Sequence, residues 1–326
     1  MPAQTQSTKT KYDLTLGVAT REAFGRALVE LGRENKDVVV CDADLSKSTM
    51  TTYFAKEFPD RFFECGIAEA NMVAIGSGLA AAGKIPFVSS FSAFVVNKGF
   101  EQLRVTAAYP NMNLKVVGTH SGISIGEDGP SQMSIEDLSL ACALPGFIVL
   151  SPADEVSTRA LVKASAAHQG PVFIRTGRPK VPVIYPADFQ FQIGKAVELT
   201  PGTDVTIIGT GLMTAEAIRA AQALEGENVG VRVLDLHTIK PLDRDAIQRA
   251  AAETRAIVVV EEHLVDAGLG VRVAQVVAET EPCAMEFVGI ENTYAESGSP
   301  EALLEKYGLT SAKIIDAVHR VLSRKR

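Results

Sequence analysis

The stretch DVVVCDADLSKST (37–49) decides the fold. Val38, Val39, Val40 and Cys41 form an apolar run without polar alternation, which suits a strand buried on both faces. Strands of that kind belong to parallel sheets covered by helices on both sides. Asp42, Asp44, Ser46 and Ser48 follow directly. Ligands of open parallel α/β sheets bind beyond the carboxyl ends of the strands, so these polar residues stand at a candidate site. An acidic turn that caps the next helix would give the same string.

The same alternation extends in both directions. Upstream, Thr20 is a reasonable N-cap, and Ala23, Phe24, Ala27, Leu28 and Leu31 form one apolar helical stripe. Downstream, an Ala- and Gly-rich helix is expected over 68–82, and further helices near 98–109 and 153–168. Strands are expected at PFVSSF (86–91), NLKVVGTH (113–120), GFIVLSP (146–152) and PVFIRTG (171–177). These elements make one α/β domain over 13–180. The proline-rich segment TGRPKVPVIYPADFQ (176–190) carries no helical or strand period, and a linker is placed at 181–194. The pattern then restarts with strands at 204–211, 229–236 and 256–263 and helices between and after them. A smaller α/β domain is therefore expected over 195–326.

Composition narrows the function. The chain has 326 residues and a formal net charge of -7, which argues against non-specific nucleic-acid binding. Cys41, Cys65, Cys142 and Cys283 form no CxxC pair and no disulfide framework, so a reducing, cytoplasmic compartment is expected. Residues 1–12 lack the apolar core of a signal peptide and read as a disordered tail. Charges or glycines interrupt every apolar run, so no membrane partner is expected. The turn GTG (209–211) has Thr214 where a dinucleotide fingerprint needs glycine. The five histidines are scattered, and no metal site is readable within this chain.

Polar residues that break the core pattern mark the chemistry. Glu69 opens a helix of small and apolar residues; it is either a partner for the helix dipole or a carboxyl held protonated to donate a hydrogen bond. His120 ends a strand, and a glycine-rich loop with Glu127, Asp128 and Gln132 follows it. Loops this long and polar are commonly functional. Phe91 and Phe94 close one strand, and Arg175 closes another, where phosphate or carboxylate binding is a natural use.

Taken together, ATREAFG (19–25), DADLSKST (42–49), DRFFECGIAEANM (60–72), PFVSSFSAF (86–94), THSGISIGEDGPSQM (119–133), FIRTGRP (173–179) and TIKPLD (238–243) closely resemble transketolase in order and spacing. The resemblance implies a pyrimidine-binding domain followed by the family's C-terminal domain, and thiamine diphosphate as cofactor. It implies that Glu69 is the catalytic glutamate, whose carboxyl holds the cofactor's aminopyrimidine in its imino form. Phe91 and Phe94 match aromatics that pack around the pyrimidine ring, and Asp44 and Leu45 line the same cofactor site. Asn97 stands where some members have a further aromatic. Arg21, Ser48, His120 and Arg175 match positions that hold the substrate phosphate, with His120 also close to the reacting atoms. Asp128 matches a residue that contacts a substrate hydroxyl, and Gln132 is the animal-type variant of a histidine.

Full-length members carry an N-terminal domain with a GDG motif that binds the diphosphate through Mg2+. No GDG occurs in this sequence. The resemblance thus implies a C-terminal subunit that moves a two-carbon ketol unit between phosphorylated sugars only with a separate N-terminal subunit, in an α2β2 assembly. The competing expectations are a 2-oxoacid dehydrogenase beta subunit and a non-catalytic regulatory or scaffold paralogue.

Overall fold

The computed structural model describes residues 4–5 and 12–325. Two parallel-rich sheets, each flanked by helices, confirm the α/β class. The first has seven strands in the order Thr238–Lys240, Ile148–Leu150, Val172–Arg175, Lys115–Thr119, Ile85–Phe91, Val38–Asp42 and Phe62–Glu64. The quoted run lies one strand in from the edge, and all five residues of Val38–Asp42 are buried. All pairs are parallel except the first, where Thr238–Lys240 runs antiparallel to Ile148–Leu150. That edge strand comes from the second half of the chain and was not expected.

Helix Thr20–Glu34 buries Phe24, Ala27, Leu28 and Leu31, as the stripe predicts, in one cluster with Leu161 and Val162 of helix Glu155–Ala167. Fully burying one such leucine or phenylalanine contributes about 1.5–3 kcal/mol. Thr20 is the first helical residue rather than the cap; Ala19 holds the cap position, and the Thr20 hydroxyl accepts the Gly177 N–H at 2.8 Å. Over 98–109 the helix differs from its expectation. A short α-turn, Phe100–Gln102, runs into a π-helical stretch, Leu103–Ala108, in which Tyr109 N–H reaches the Arg104 carbonyl.

The second sheet has the order Gln4–Thr5, Val197–Thr200, Val231–Asp235, Val205–Gly209, Ala256–Leu264 and Ala284–Ile290. Most of the expected tail lies outside the described residues. Gln4–Thr5, however, pair with Val197 and Glu198, and the Tyr12 hydroxyl donates to the Leu199 carbonyl at 2.9 Å. The proline-rich segment is not the patternless connection expected. Lys180–Pro182 pairs with Leu16–Ala19, and Ile184 and Tyr185 are buried with both N–H groups on Asp154 Oδ2, at 2.8 and 3.0 Å. The Tyr185 hydroxyl crosses to Asp235 of the second sheet, so the segment is fastened to both halves. No helix among the described residues is long and apolar enough to cross a membrane.

Candidate active site at the strand ends

The candidate residues gather at the carboxyl ends of the first sheet's strands, where the topology of such sheets places ligands. The end of Val38–Asp42 settles one alternative. Asp42 is buried, and its carboxylate accepts from Leu45 N–H at 2.7 Å and from the Thr49 and Thr51 hydroxyls at 2.7 and 2.8 Å. Burial raises its pKa to about 6 against those hydrogen bonds. Asp42 therefore builds the turn and does not face a ligand. Asp44 points outward in the left-handed region, with φ of 62°, and its N–H donates to Glu64 Oε1 at 2.6 Å. Leu45 is half-buried and packs on the same cluster as Phe91 and Phe94.

Glu69 is the first residue of helix Glu69–Ala81 and is only 2% exposed. Its carboxylate has two long protein contacts, Ser90 Oγ at 3.5 Å and Lys98 Nζ at 3.3 Å. Lys98 is half-exposed and also lies 4.7 Å above the Phe94 ring. Both oxygens therefore keep capacity for a closer partner. Phe91 and Phe94 stack at 5.7 Å, and the His120 imidazole stacks on Phe91 at 3.9 Å. The wall from Phe94 through Phe91 to His120 thus joins the glutamate region to the cationic region. Asn97 does not extend this wall; its amide donates to Glu136 Oε1 at 2.8 Å.

His120 is buried, sits at φ of 56° and shares a hydrogen bond of 2.9 Å with the Thr119 hydroxyl through Nδ1. Burial, then the guanidinium groups of Arg21 and Arg178, lower its pKa to about 3. The imidazole is thus neutral at ordinary pH and offers Nε2 for a hydrogen bond rather than a fixed charge. A chemical-shift titration of the ring is expected to show no protonation between pH 8 and 5; a midpoint near 6.5 would place His120 in a solvated, uncrowded setting.

Arg21 donates to the Ser48 carbonyl, while its buried Nε has no partner among the described residues. Burial and Arg178 both work against its charge, and Glu22 and Tyr53 only partly offset them. Two guanidinium groups crowded around one neutral imidazole are an arrangement that an anion would relieve. Arg178 donates to Glu127 Oε2 at 2.7 Å and to the Ile125 carbonyl. It was missed in the sequence, although it is the second arginine of FIRTGRP.

Arg175 does not join this cluster. Its guanidinium is buried against Asp137, with Nε 2.9 Å from Oδ2, and Nη2 donates to the carbonyls of Ser134 and Glu262 at 3.2 and 2.9 Å. Burial works against its charge, but Asp137 and Glu262 outweigh burial and raise its pKa further. Arg175 was expected to grip a substrate phosphate; its Nε and Nη2 donors are instead taken up inside the protein. Asp128 is exposed at the loop tip, and Gln132 is half-buried, its side-chain oxygen accepting from the Ser131 hydroxyl. Among the described residues no three His, Cys, Asp or Glu side chains cluster to hold a metal ion.

These elements define a family. The model for the transketolase pyrimidine-binding domain matches residues 17–183, and that for the transketolase C-terminal domain matches 194–314. The chain belongs to the transketolase family. It is 40% identical over 297 residues to a putative transketolase C-terminal section of Methanocaldococcus jannaschii, covering 90% of this chain and 93% of that one. A 6-deoxy-6-sulfo-D-fructose transketolase subunit of Clostridium sp. is 39% identical, covering 94% and 95%. Human transketolase is 40% identical over 94% of this chain, but the chain spans only 49% of it. A solved split-gene transketolase, described as an inactive beta4 tetramer, superposes with a TM-score of 0.90 at 48% identity, over 95% of this chain and all of that one.

Proposed function

We propose that this chain is the C-terminal subunit of a two-chain transketolase. Together with an N-terminal chain, it moves a two-carbon ketol unit between anionic sugars in a cytoplasmic setting. The observation that carries the reading is the continuous wall in which buried Glu69, stacked Phe91 and Phe94, neutral His120 and the pair Arg21 and Arg178 follow one another. Relatives of the same length are named as a C-terminal section and a subunit, which supports the division between two chains.

The residues present fit thiamine diphosphate: a buried carboxyl with loosely engaged oxygens, beside flat aromatic rings, suits an aminopyrimidine. When bound, that cofactor supplies the nucleophilic carbon. Glu69 would hold a proton at the pyrimidine. Leu45, Phe91 and Phe94 would exclude water from it, with Asp44 at the rim. His120 would donate or accept at the substrate near the reacting atoms. Arg21, Arg178 and Ser48 would hold the terminal anion. Asp128 and Gln132, on the loop after His120, would meet the sugar hydroxyls. The diphosphate and its Mg2+ are assigned to the partner subunit, in an α2β2 assembly.

The test is to co-purify the chain with its N-terminal partner and assay ketol transfer from xylulose 5-phosphate to ribose 5-phosphate, with pyruvate as the competing substrate. Transfer between the sugars by the complex, with weak cofactor binding by the chain alone, is expected. Tight binding by the isolated chain, or turnover of pyruvate only, would remove the reading. A sulfonated ketose belongs in the same assay, because a relative of equal length is named for one and the guanidinium pair suits either anion. Arg178→Ala is expected to raise KM for the phosphorylated sugar about 10-fold, the loss of one charge-assisted hydrogen bond, with kcat little changed. An unchanged KM would take Arg178 out of the anion site.

A further inference from the structure

The second domain reaches into the loop that follows His120, and it does so at three glycines. Gly122, Gly126 and Gly129 all sit in the left-handed region, at φ of 76°, 85° and 81°. The space beside each is filled from the second half of the chain. A Cβ on Gly122 would lie 2.1 Å from the Glu262 carboxyl carbon. One on Gly126 would meet Pro300 at 3.0 Å, and one on Gly129 would meet Ser297 Oγ at 2.5 Å. The glycines therefore answer to a neighbouring domain as well as to turn geometry.

Glu262 is the centre of this contact. It is buried, and its Oε1 accepts the Ser124 N–H at 2.6 Å. Its own carbonyl accepts from Arg175, which also bonds Ser134 at the far end of the same loop. The loop closes on itself where Gly122 N–H meets the Ser134 carbonyl at 2.8 Å, and Leu264 N–H holds the Ile135 carbonyl at 2.9 Å. Both ends of the loop are thus tied to one strand end of the second domain, and its glycine-lined middle rests on Ser297 and Pro300.

We propose that the C-terminal domain sets the shape of the substrate loop, and that Glu262 is the positioning residue through which it does so. Glu262 touches neither cofactor nor substrate. It fixes where Asp128 and Gln132 stand, and this part of the proposal rests on the functional reading above.

Hydrogen exchange on the full-length chain tests the structural half without any activity. In Glu262→Ala, exchange over 122–132 is expected to speed up at least tenfold while Val38–Asp42 and Val205–Gly209 stay protected. Glu262→Gln, which keeps an oxygen for Ser124, is expected to remain within about twofold of the parent. The reconstituted complex tests the other half. Glu262→Ala is expected to raise KM for the sugar phosphate about 5- to 10-fold with kcat within about threefold, and Glu262→Gln to restore it. Should Glu262→Ala fail to fold, Ser297→Leu, at an exposed position pressing on Gly129, is expected to shift KM in the same way. Unchanged exchange over 122–132, or loosened exchange with an unaltered KM, overturns the proposal. A parent complex without ketol transfer defeats the functional reading instead, and the exchange result still decides whether Glu262 holds the loop.

Discussion

Replacing Glu69 by alanine is expected to lower ketol transfer by about 100-fold or more while the complex with the N-terminal chain stays assembled. The carboxyl is buried at the start of a helix, and among the described residues its hydrogen bonds are long ones to Ser90 and Lys98. Its structural contribution is accordingly modest. Removing an acidic partner from a helix N-terminus costs about 0.3–1 kcal/mol, too little to dismantle a large subunit interface. A group placed to hold one proton at a cofactor should instead show its loss in turnover. Steady-state rates and the mass of the complex in solution check both halves. A variant that falls apart, or one that keeps its turnover, would return Glu69 to the role of a dipole partner.

Arg175→Ala is expected to do the opposite: to cost about 3–5 kcal/mol of stability, because it strands a buried carboxylate. Asp137 has no exposure, and Arg175, ahead of His263, does most to keep it ionised against burial; Ser92 Oγ supplies only a hydrogen bond, at 2.7 Å. The pH dependence follows from the same pair. Asp137 titrates below its ordinary range in the folded chain, so its contribution is present above the unfolded pKa of about 3.9 and is lost as pH falls further. In the alanine variant that carboxyl loses its paired guanidinium and titrates upward. The variant's deficit should therefore shrink on acidification, as protonation relieves the stranded charge. Adding Asp137→Asn is expected to recover part of the loss at neutral pH. Denaturant midpoints at pH 7 and pH 5 measure this; a variant as stable as its parent would mean that solvent reaches Asp137.

The contrast between Arg175 and Arg178 shows where sequence reading stops. Arg175 closes the buried strand Val172–Arg175 and Arg178 comes three residues later, and local pattern alone gives either the anion. Which one is consumed depends on Asp137, 38 residues away, and on Glu262 in the other domain. The strands themselves were plain from their composition, since residues buried on both faces are apolar in near-continuous runs, as in Val38–Cys41 and Ala256–Val260. Glu69, His120 and the aromatic pair were also legible, because each interrupts or closes an apolar pattern for which packing gives no reason. Asp42 broke the same rule and left both readings open; its partners Thr49 and Thr51 show that it serves the turn. The π-helical turn at Leu103–Ala108 left no signal in the sequence, and nothing in the structure explains it.

One strand has a practical implication for anyone dissecting this protein. Thr238–Lys240 covers the flank of Ile148–Leu150, and Lys240 Nζ secures it on the carbonyls of Leu144 and Cys142, at 2.6 and 3.0 Å. A fragment trimmed in the proline-rich stretch would leave that flank bare, with unpaired backbone groups beside apolar side chains. Such a margin recruits whatever strand it meets, including its own copies. The first half, released from the second, would therefore tend to polymerise rather than remain a well-behaved monomer.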